Sequence, residues 1–188
     1  MSLLAIINYD TISQHQYWGI CVMNKVSNSE QEVTGILFIC MGNICRSPLA
    51  EGIFQYKLSE CGLQDQYIVD SAGTGDWHAG DLADPRMRAT ALRHGIDLKS
   101  RARQVNMSDF VRFDMLLAMD RNNYLHLSDM AQDKGQKERV HMMRAFDSDA
   151  KQDLNVPDPY FGGDKGFEDV FHMLNRSCEK LLNFLENK

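Results

Sequence analysis

Residues 36–39, which read Ile-Leu-Phe-Ile, constrain the fold of this chain more than any other segment. An unbroken apolar run of this length is typical of a β-strand that is buried on both faces. Such a strand needs covering elements above and below it, and the chain alternates further short apolar runs with helical patterns. We therefore predict an α/β fold in which helices cover both faces of a parallel sheet.

Three further strands and three helices are predicted from the same kinds of pattern. Pro48 suits the first turn of a helix, because the N–H that proline lacks has no partner there. Gly95 is suited to end a helix that opens at Asp84. The predicted strands are residues 67–69, 114–119 and 139–143. The first predicted helix begins near residue 48, and the other two span residues 84–94 and 167–186. In a sheet of this kind, ligands bind beyond the carboxyl ends of the strands.

The composition narrows the function and the compartment. There are 26 acidic and 20 basic residues, a formal charge of -6, which argues against a nucleic-acid-binding protein. No apolar run approaches the roughly 18 residues that a membrane span requires, and the first residues lack the basic start of a secretory signal. The five cysteines are odd in number and irregularly spaced, so we predict no disulfide framework and expect a reducing, cytoplasmic compartment. The six histidines lack ligand spacing, so no metal site is predicted.

Residues 1–33 differ in character from the rest of the chain. They are mixed and weakly periodic, and they end in a polar run at residues 24–32 that is typical of a linker. We predict an N-terminal extension of unknown role at residues 1–33. A regulatory arm, a disordered tail and a start codon placed too far upstream are the alternatives for it.

The residues between the first strand and the first helix carry the chemistry. Cys40 ends the strand, and Arg46 follows six positions later. Such a loop can turn its N–H groups inward as a nest for an anion, to which the helix N-terminus and the Arg46 guanidinium add positive charge. This potential favours a Cys40 thiolate that can attack a bound phosphate, whereas a small buried apolar role is the alternative. Gly42 and Asn43 tolerate a left-handed backbone, and Ser47 can donate its hydroxyl to the sulfur.

Residues 36–51 resemble the signature of the low-molecular-weight protein tyrosine phosphatases. Four further segments agree with that family in order and spacing, at residues 69–74, 102–105, 118–120 and 156–160. The resemblance covers nearly all of residues 34–188, which it identifies as the phosphatase domain. It implies a three-layer sandwich around a four-stranded parallel sheet of the flavodoxin-like, Rossmann-like kind. It also implies hydrolysis of phosphotyrosine through a phosphocysteine intermediate, without a cofactor.

Three catalytic roles are implied by the resemblance. Cys40 is expected to be the nucleophile, Arg46 the phosphate clamp and Asp158 the general acid and base. Departure of a phenolate requires a nearby proton donor, and the same carboxylate can then activate water. Considered alone, Asp158 before Pro159 signals a turn more often than catalysis.

The same resemblance assigns a supporting set to the phosphate loop. Hydrogen bonds among Asn43, Ser47 and Ser71 are expected to hold the loop, with turn and capping duty as the alternative. The family often has a histidine where this chain has Ser100, which leaves the support of Asn43 open. Cys45 fits either a resolving partner in reversible oxidation or a small buried side chain. The full set is Met41, Gly42, Asn43, Ile44, Cys45, Ser47 and Ser71.

The substrate pocket is expected to have flat apolar walls, formed by Met41, Ile44, Trp77 and Tyr160 with Phe161 beside them. Such walls suit an aromatic ring, so a deep slot favours phosphotyrosine over the shorter phosphoserine. Packing is the alternative role for Trp77, but its small and polar neighbours indicate a loop. Family members with threonine in place of Ile44 resemble phosphoarginine phosphatases, so Ile44 favours phosphotyrosine.

Three other functions compete with this interpretation. An arsenate reductase on the same fold needs further cysteines as a relay, and the chain has none between Cys61 and Cys178. A phosphocysteine carrier domain of a sugar phosphotransferase system needs neither the clamp nor the acid. An inactive binding module is disfavoured by Cys40, Arg46 and Asp158 together. The expected partners are a tyrosine-phosphorylated protein, for which a tyrosine kinase is one candidate, and phosphate or another oxyanion, with the protein a monomer.

Overall fold

The computed structural model of the chain describes residues 33–161 and 163–187. The predicted extension at residues 1–33 lies outside this range except for its last residue. The described part contains a sheet of four parallel strands in the order β2-β1-β3-β4. The strands are β1 (Thr34–Cys40), β2 (Tyr67–Gly73), β3 (Met115–Ala118) and β4 (Val140–Met142). Each of them coincides with a strand predicted from the sequence, and the four-stranded parallel sheet is confirmed.

Helices lie on both faces of the sheet, which gives the predicted three-layer sandwich. They are α1 (Arg46–Cys61), α2 (Pro85–Arg93), α3 (Asp109–Arg112), α4 (Arg121–Met130), α5 (Lys134–Glu138) and α6 (Gly163–Glu186). One core cluster joins β1 to α1, α2 and α6, and a second joins β1 to α3 and α4. Between residues 33 and 187, no helix has the length and apolar character needed to cross a membrane.

The central strand β1 is buried on both faces, as its apolar run predicts. Ile36 and Phe38 belong to the first core cluster, whereas Leu37 and Ile39 belong to the second. All four residues are wholly buried. Burial of side chains of this size contributes roughly 1.5–3 kcal/mol each. The strand that carries Cys40 at its end is therefore held rigidly from above and below.

The strand ends lie level with one another at the edge where the site forms. In the parallel register, Cys40 pairs with Gly73 of β2, and Ile39 pairs with Ala118 of β3. The segments that follow these strands therefore start side by side, and Asp120 comes two residues after β3. This is the edge at which open α/β sheets bind their ligands.

Candidate active site

The segment after β1 curls into a loop that ends at the first turn of α1. Asn43 has a φ of 54°, so it adopts the left-handed conformation predicted for it. Gly42, which would tolerate the same conformation, does not have a positive φ. The space at Gly42 is limited by His78 instead, because a Cβ at residue 42 would lie 3.1 Å from the imidazole Cδ2. The N-cap residue Cys45 makes no side-chain capping bond, so the first N–H groups of α1 stay available to an anion.

The sulfur of Cys40 lies at the base of this loop among hydrogen-bond donors. The N–H of Asn43 donates to Sγ at 3.2 Å, and the hydroxyl of Ser47 lies 3.0 Å from Sγ. Cys40 is only 3% exposed, yet it reaches the pocket described below. Both donors lie within hydrogen-bonding distance of the sulfur, so the loop holds Sγ in a fixed position at the base of the pocket.

A buried network of hydrogen bonds supports the loop from behind. Nδ2 of Asn43 donates to the hydroxyl oxygens of Ser47 and Ser71, both at 2.9 Å. The Ser71 hydroxyl in turn donates to Oε2 of Glu51 at 2.6 Å. Burial raises the pKa of Glu51, although hydrogen bonds from Ser71 and Ser100 act in the opposite direction. The loop support thus extends from Asn43 through Ser71 to the buried Glu51 carboxyl.

The guanidinium of Arg46 is fixed by three acceptors. Nη1 donates to Oδ2 of Asp120 at 2.7 Å and to the carbonyl of Val156 at 3.1 Å. Nη2 donates to Oδ2 of Asp158 at 3.4 Å. Burial alone would lower the pKa of Arg46, but the charges of Cys40, Asp120 and Asp158 outweigh it and raise that pKa. Arg46 therefore stays positively charged where a phosphate would bind.

Above the loop lies a pocket of about 210 Å³ whose walls are mostly apolar. Met41, Trp77 and Tyr160 each leave between 47% and 60% of their surface exposed, so they form an open rim. Phe161 belongs to the short helical turn Pro159–Phe161, but its side chain lies outside the described part of the structure. The residues that line the pocket are Cys40, Met41, Gly42, Ile44, Cys45, Arg46, Trp77, His78, Asp158 and Tyr160.

The Asp158 side chain stabilises the turn in which it lies and also lines the pocket. Oδ1 accepts a hydrogen bond from the N–H of Tyr160 at 3.1 Å, which is the turn role that the Asp-Pro sequence indicates. Oδ2 is the atom that approaches Arg46. The turn and a catalytic role are therefore compatible, because they use different oxygens of one carboxylate.

Cys45 differs from Cys40 in its surroundings, although both are free thiols in the same pocket. Burial, followed by the negative charges of Asp84 and Cys40, raises the pKa of Cys45 to about 12. Cys45 is therefore a neutral thiol at neutral pH. Asp84 comes this close because its N–H donates to the carbonyl of Ile44 at 2.7 Å.

Four residues of the site have no role in the sequence-based prediction. Asp120 accepts a hydrogen bond from Arg46, and Glu51 accepts one from Ser71. His78 lines the pocket. The backbone N–H of Arg103 donates to Asn43 Oδ1 at 2.9 Å. The available signal for Asp120 was its place just after a predicted strand, at the edge where ligands bind. Within residues 33–187 no group of three or more His, Cys, Asp or Glu side chains is arranged to hold a metal ion.

Sequence comparison relates this chain to phosphatases. A family model described as low molecular weight phosphotyrosine protein phosphatase matches residues 35–188. The chain is 41% identical over 148 residues to a low molecular weight protein-tyrosine-phosphatase of Streptomyces coelicolor. That alignment covers 78% of this chain and 90% of the relative.

Solved structures share the fold. A protein tyrosine phosphatase from Entamoeba histolytica with Hepes in its active site matches with a TM-score of 0.78 and 41% identity, over 82% of this chain and 97% of that one. A Drosophila arginine phosphatase matches with a TM-score of 0.75 and 32% identity, over 80% and 97% of the two chains. Since the family model spans almost all of the described residues and these relatives align over nearly their whole length, the chain belongs to the low molecular weight phosphotyrosine protein phosphatase family.

Proposed function

We propose that this protein hydrolyses phosphotyrosine in proteins through a phosphocysteine intermediate. The Cys40 thiolate attacks phosphorus in line with the bond to the tyrosine oxygen. The S–P bond forms as that P–O bond breaks, and the leaving oxygen takes a proton. Water then attacks phosphorus, the S–P bond breaks, and inorganic phosphate leaves with the thiolate restored. The observation that carries the proposal is that Cys40, Arg46 and Asp158 line one pocket.

Arg46 binds the phosphate in this mechanism. Asp120 and the Val156 carbonyl hold Nη1, so the plane of the guanidinium is set before a ligand arrives. The remaining N–H groups can bind two phosphate oxygens at once. The Arg46 side chain is only 5% exposed, and charge in such a dry site stabilises the transition state more than charge in water does.

Asp158 moves the proton in both steps. As an acid it donates a proton to the tyrosine oxygen, and as a carboxylate it then removes a proton from the attacking water. Because Oδ1 is held by Tyr160 N–H, the carboxyl has a fixed direction in the pocket wall. The same group thus begins and ends the cycle in one protonation state.

Phosphoarginine is the second candidate substrate, because one structural relative is an arginine phosphatase. The apolar wall at Ile44, together with the rings of Trp77 and Tyr160, favours an aromatic substrate instead. Ile44 offers a flat contact to a tyrosine ring and no hydrogen-bonding group to a guanidinium. Phosphotyrosine is therefore the substrate that we propose.

The test measures phosphate release from matched peptides that carry phosphotyrosine, phosphoserine or phosphoarginine. We expect release from phosphotyrosine by the wild type and none by Cys40→Ser, which should still bind vanadate. Release from phosphoarginine alone would replace the substrate assignment and keep the mechanism. Wild-type rates from Cys40→Ser would end the phosphocysteine mechanism.

The wider assignments rest on the same proposal. Residues 34–188 would form the phosphatase domain and residues 1–33 an extension, since the family model begins at residue 35. The substrate would be a tyrosine-phosphorylated protein such as a tyrosine kinase, and phosphate or another oxyanion would occupy the site. We propose action in the cytoplasm, because Cys40 must stay reduced to act as a nucleophile. A monomer is the simplest state for this proposal, because all the residues named in the mechanism come from one chain.

A further inference from the structure

The side-chain amide of Asn43 can take two orientations that differ by a half-turn, and they have different effects on Cys40. In the structure, Nδ2 donates to Ser47 Oγ and Ser71 Oγ, while Oδ1 faces away from them. Ser47 therefore accepts from Asn43, and its own hydrogen stays available to the Cys40 sulfur at 3.0 Å, with the Ala72 carbonyl at 3.3 Å as the more distant acceptor. In the opposite orientation, the Asn43 oxygen would compete with Cys40 for that hydrogen.

The backbone N–H of Arg103 selects the observed orientation. It donates to Asn43 Oδ1 at 2.9 Å, and a backbone N–H can act only as a donor. A flipped amide would place its own NH₂ group against this N–H, so two donors would face each other. The place of the Arg103 backbone thus decides which way Asn43 faces.

The backbone of Arg103 is fixed in turn by its side chain. Nε and Nη2 donate to Oδ2 of Asp70 at 3.0 and 2.9 Å. Nη1 and Nη2 donate to Oδ2 and Oδ1 of Asp109 at 3.0 and 3.1 Å, and Nη1 also reaches the carbonyl of Gln104 at 3.3 Å. All five N–H groups of the guanidinium therefore have acceptors. The Asp109 side chain is only 4% exposed, so water competes little for it.

The ion-pair cluster of Arg103, Asp70 and Asp109 also contacts Ser71 in the hydrogen-bond network behind the loop. Oδ1 of Asp70 accepts the N–H of Ser71 at 2.8 Å, and Ser71 is the other acceptor of the Asn43 amide. We propose that Arg103 is a positioning residue for the phosphate loop, which acts through Asn43 to direct the Ser47 hydroxyl hydrogen at Cys40. The link to turnover rests on the proposed function, but the reactivity of Cys40 tests the inference without it.

The test compares Arg103→Met with Arg176→Met in the full-length protein. Arg176 is a matched control, because it also donates twice to a buried carboxylate, that of Asp147, at 3.0 and 3.3 Å. The alkylation of Cys40 by iodoacetamide is followed at near-neutral pH by mass spectrometry of its peptide, after circular dichroism has shown each variant to be folded. We expect the rate to fall about fivefold in Arg103→Met, the factor that corresponds to one neutral hydrogen bond. The rate in Arg176→Met should equal that of the wild type.

A conservative variant and a second readout separate positioning from general stability. Arg103→Lys keeps the charge but cannot donate to both carboxylates in the same way, so its alkylation rate should lie between those of the wild type and Arg103→Met. Turnover of a phosphotyrosine peptide should show a lower kcat with little change in KM, because the pocket walls are untouched.

Four outcomes decide between the inference and its alternatives. A wild-type alkylation rate in Arg103→Met, or an equal fall in Arg176→Met, would overturn it. If Arg103→Met does not fold, a wild-type rate in Arg103→Lys would overturn it equally. A fall in alkylation together with no turnover by the wild type would count against the proposed function and leave the role of Arg103 in place.

Discussion

Oδ2 of Asp120 lies 2.7 Å from Nη1 of Arg46, so an ion pair joins the segment after β3 to the first residue of α1. The Arg46 side chain is 5% exposed and that of Asp120 is 22% exposed. Asp120 also caps α4, because its Oδ1 accepts the N–H of Asn123 at 2.8 Å. The removal of this carboxylate therefore takes the nearest of three acceptors from a buried guanidinium and leaves a helix end without its cap.

We expect Asp120→Ala to lower the free energy of unfolding by about 3 kcal/mol, because a buried charge loses the closer of its two carboxylate partners. Asp133→Ala is the control: Asp133 caps α5 in the same way, and the loss of a cap alone costs about 1 kcal/mol. Denaturation in urea measures both changes. Equal losses in the two variants would show that Arg46 does not depend on Asp120 for stability.

Asp158→Ala should slow substrates with poor leaving groups more than those with good ones. A weakly acidic phenol needs the proton that Asp158 donates, whereas a strongly acidic phenol leaves without it. The expected loss in kcat is about a hundredfold for the poor leaving groups. The measurement is a series of aryl phosphates of graded phenol acidity, with Asp164→Ala at the exposed start of α6 as the control. A uniform loss across the series would remove Asp158 from the acid role.

Glu51 should make stability depend on pH in a way that Glu51→Gln does not. Burial raises the pKa of Glu51 above its ordinary value of 4.5, so the native state binds this proton more tightly than the unfolded chain. The contribution of Glu51 to the free energy of unfolding is therefore largest below pH 4.5 and falls as pH rises through the raised pKa.

The check is a denaturation series at several pH values for the wild type, Glu51→Gln and the exposed control Glu138→Gln. The wild type should lose stability relative to Glu51→Gln as pH rises, and Glu138→Gln should follow the wild type. A difference between wild type and Glu51→Gln that stays constant with pH would contradict this account.

Gly75→Ala should weaken substrate binding and leave the chemical step almost unchanged. A Cβ at residue 75 would lie 1.8 Å from Cζ3 of Trp77, so the indole must leave its place in the pocket wall. We expect KM for a phosphotyrosine peptide to rise about tenfold with little change in kcat, because apolar contact is lost equally in the ground and transition states. In the control Gly166→Ala, the new Cβ meets nothing closer than 3.8 Å. A fall in kcat at constant KM would assign Trp77 a part in the chemistry instead.

The sequence was sufficient to predict the sheet but not every helix. The strands carry apolar runs that need burial on two faces, and this signal does not depend on tertiary contacts. The helices α3, α4 and α5 were not predicted, since α3 has only four residues, α4 buries only Asn123 and Leu127, and α5 has no buried residue. Without an apolar face, a short helix shows little periodicity to detect.

Local sequence patterns predict the site only where its residues are neighbours in the chain, whereas Ser71, Trp77 and Asp158 were named from the family resemblance. The spacing of Cys40 and Arg46 identifies the loop, because a nest and a helix start are local structures. The Arg46–Asp120 pair spans 74 positions and the Asn43–Arg103 pair spans 60. Such partners become visible only when the strand order β2-β1-β3 brings their segments together. His78 could be found only from the packing of its loop over Gly42.

Because Cys40 lies at the end of the central strand β1, we expect its catalytic activity to be lost in the same transition that unfolds the sheet. β1 pairs with β2 on one side and with β3 on the other, so it has no free edge, and Cys40 at its end pairs with Gly73 of β2. During chemical denaturation, the loss of turnover should thus coincide with the loss of the circular dichroism signal. The activity of Cys40 therefore measures the folded fraction of the protein. Substitutions far from the pocket that destabilise the fold will lower the active fraction, while the turnover number of each folded molecule stays the same.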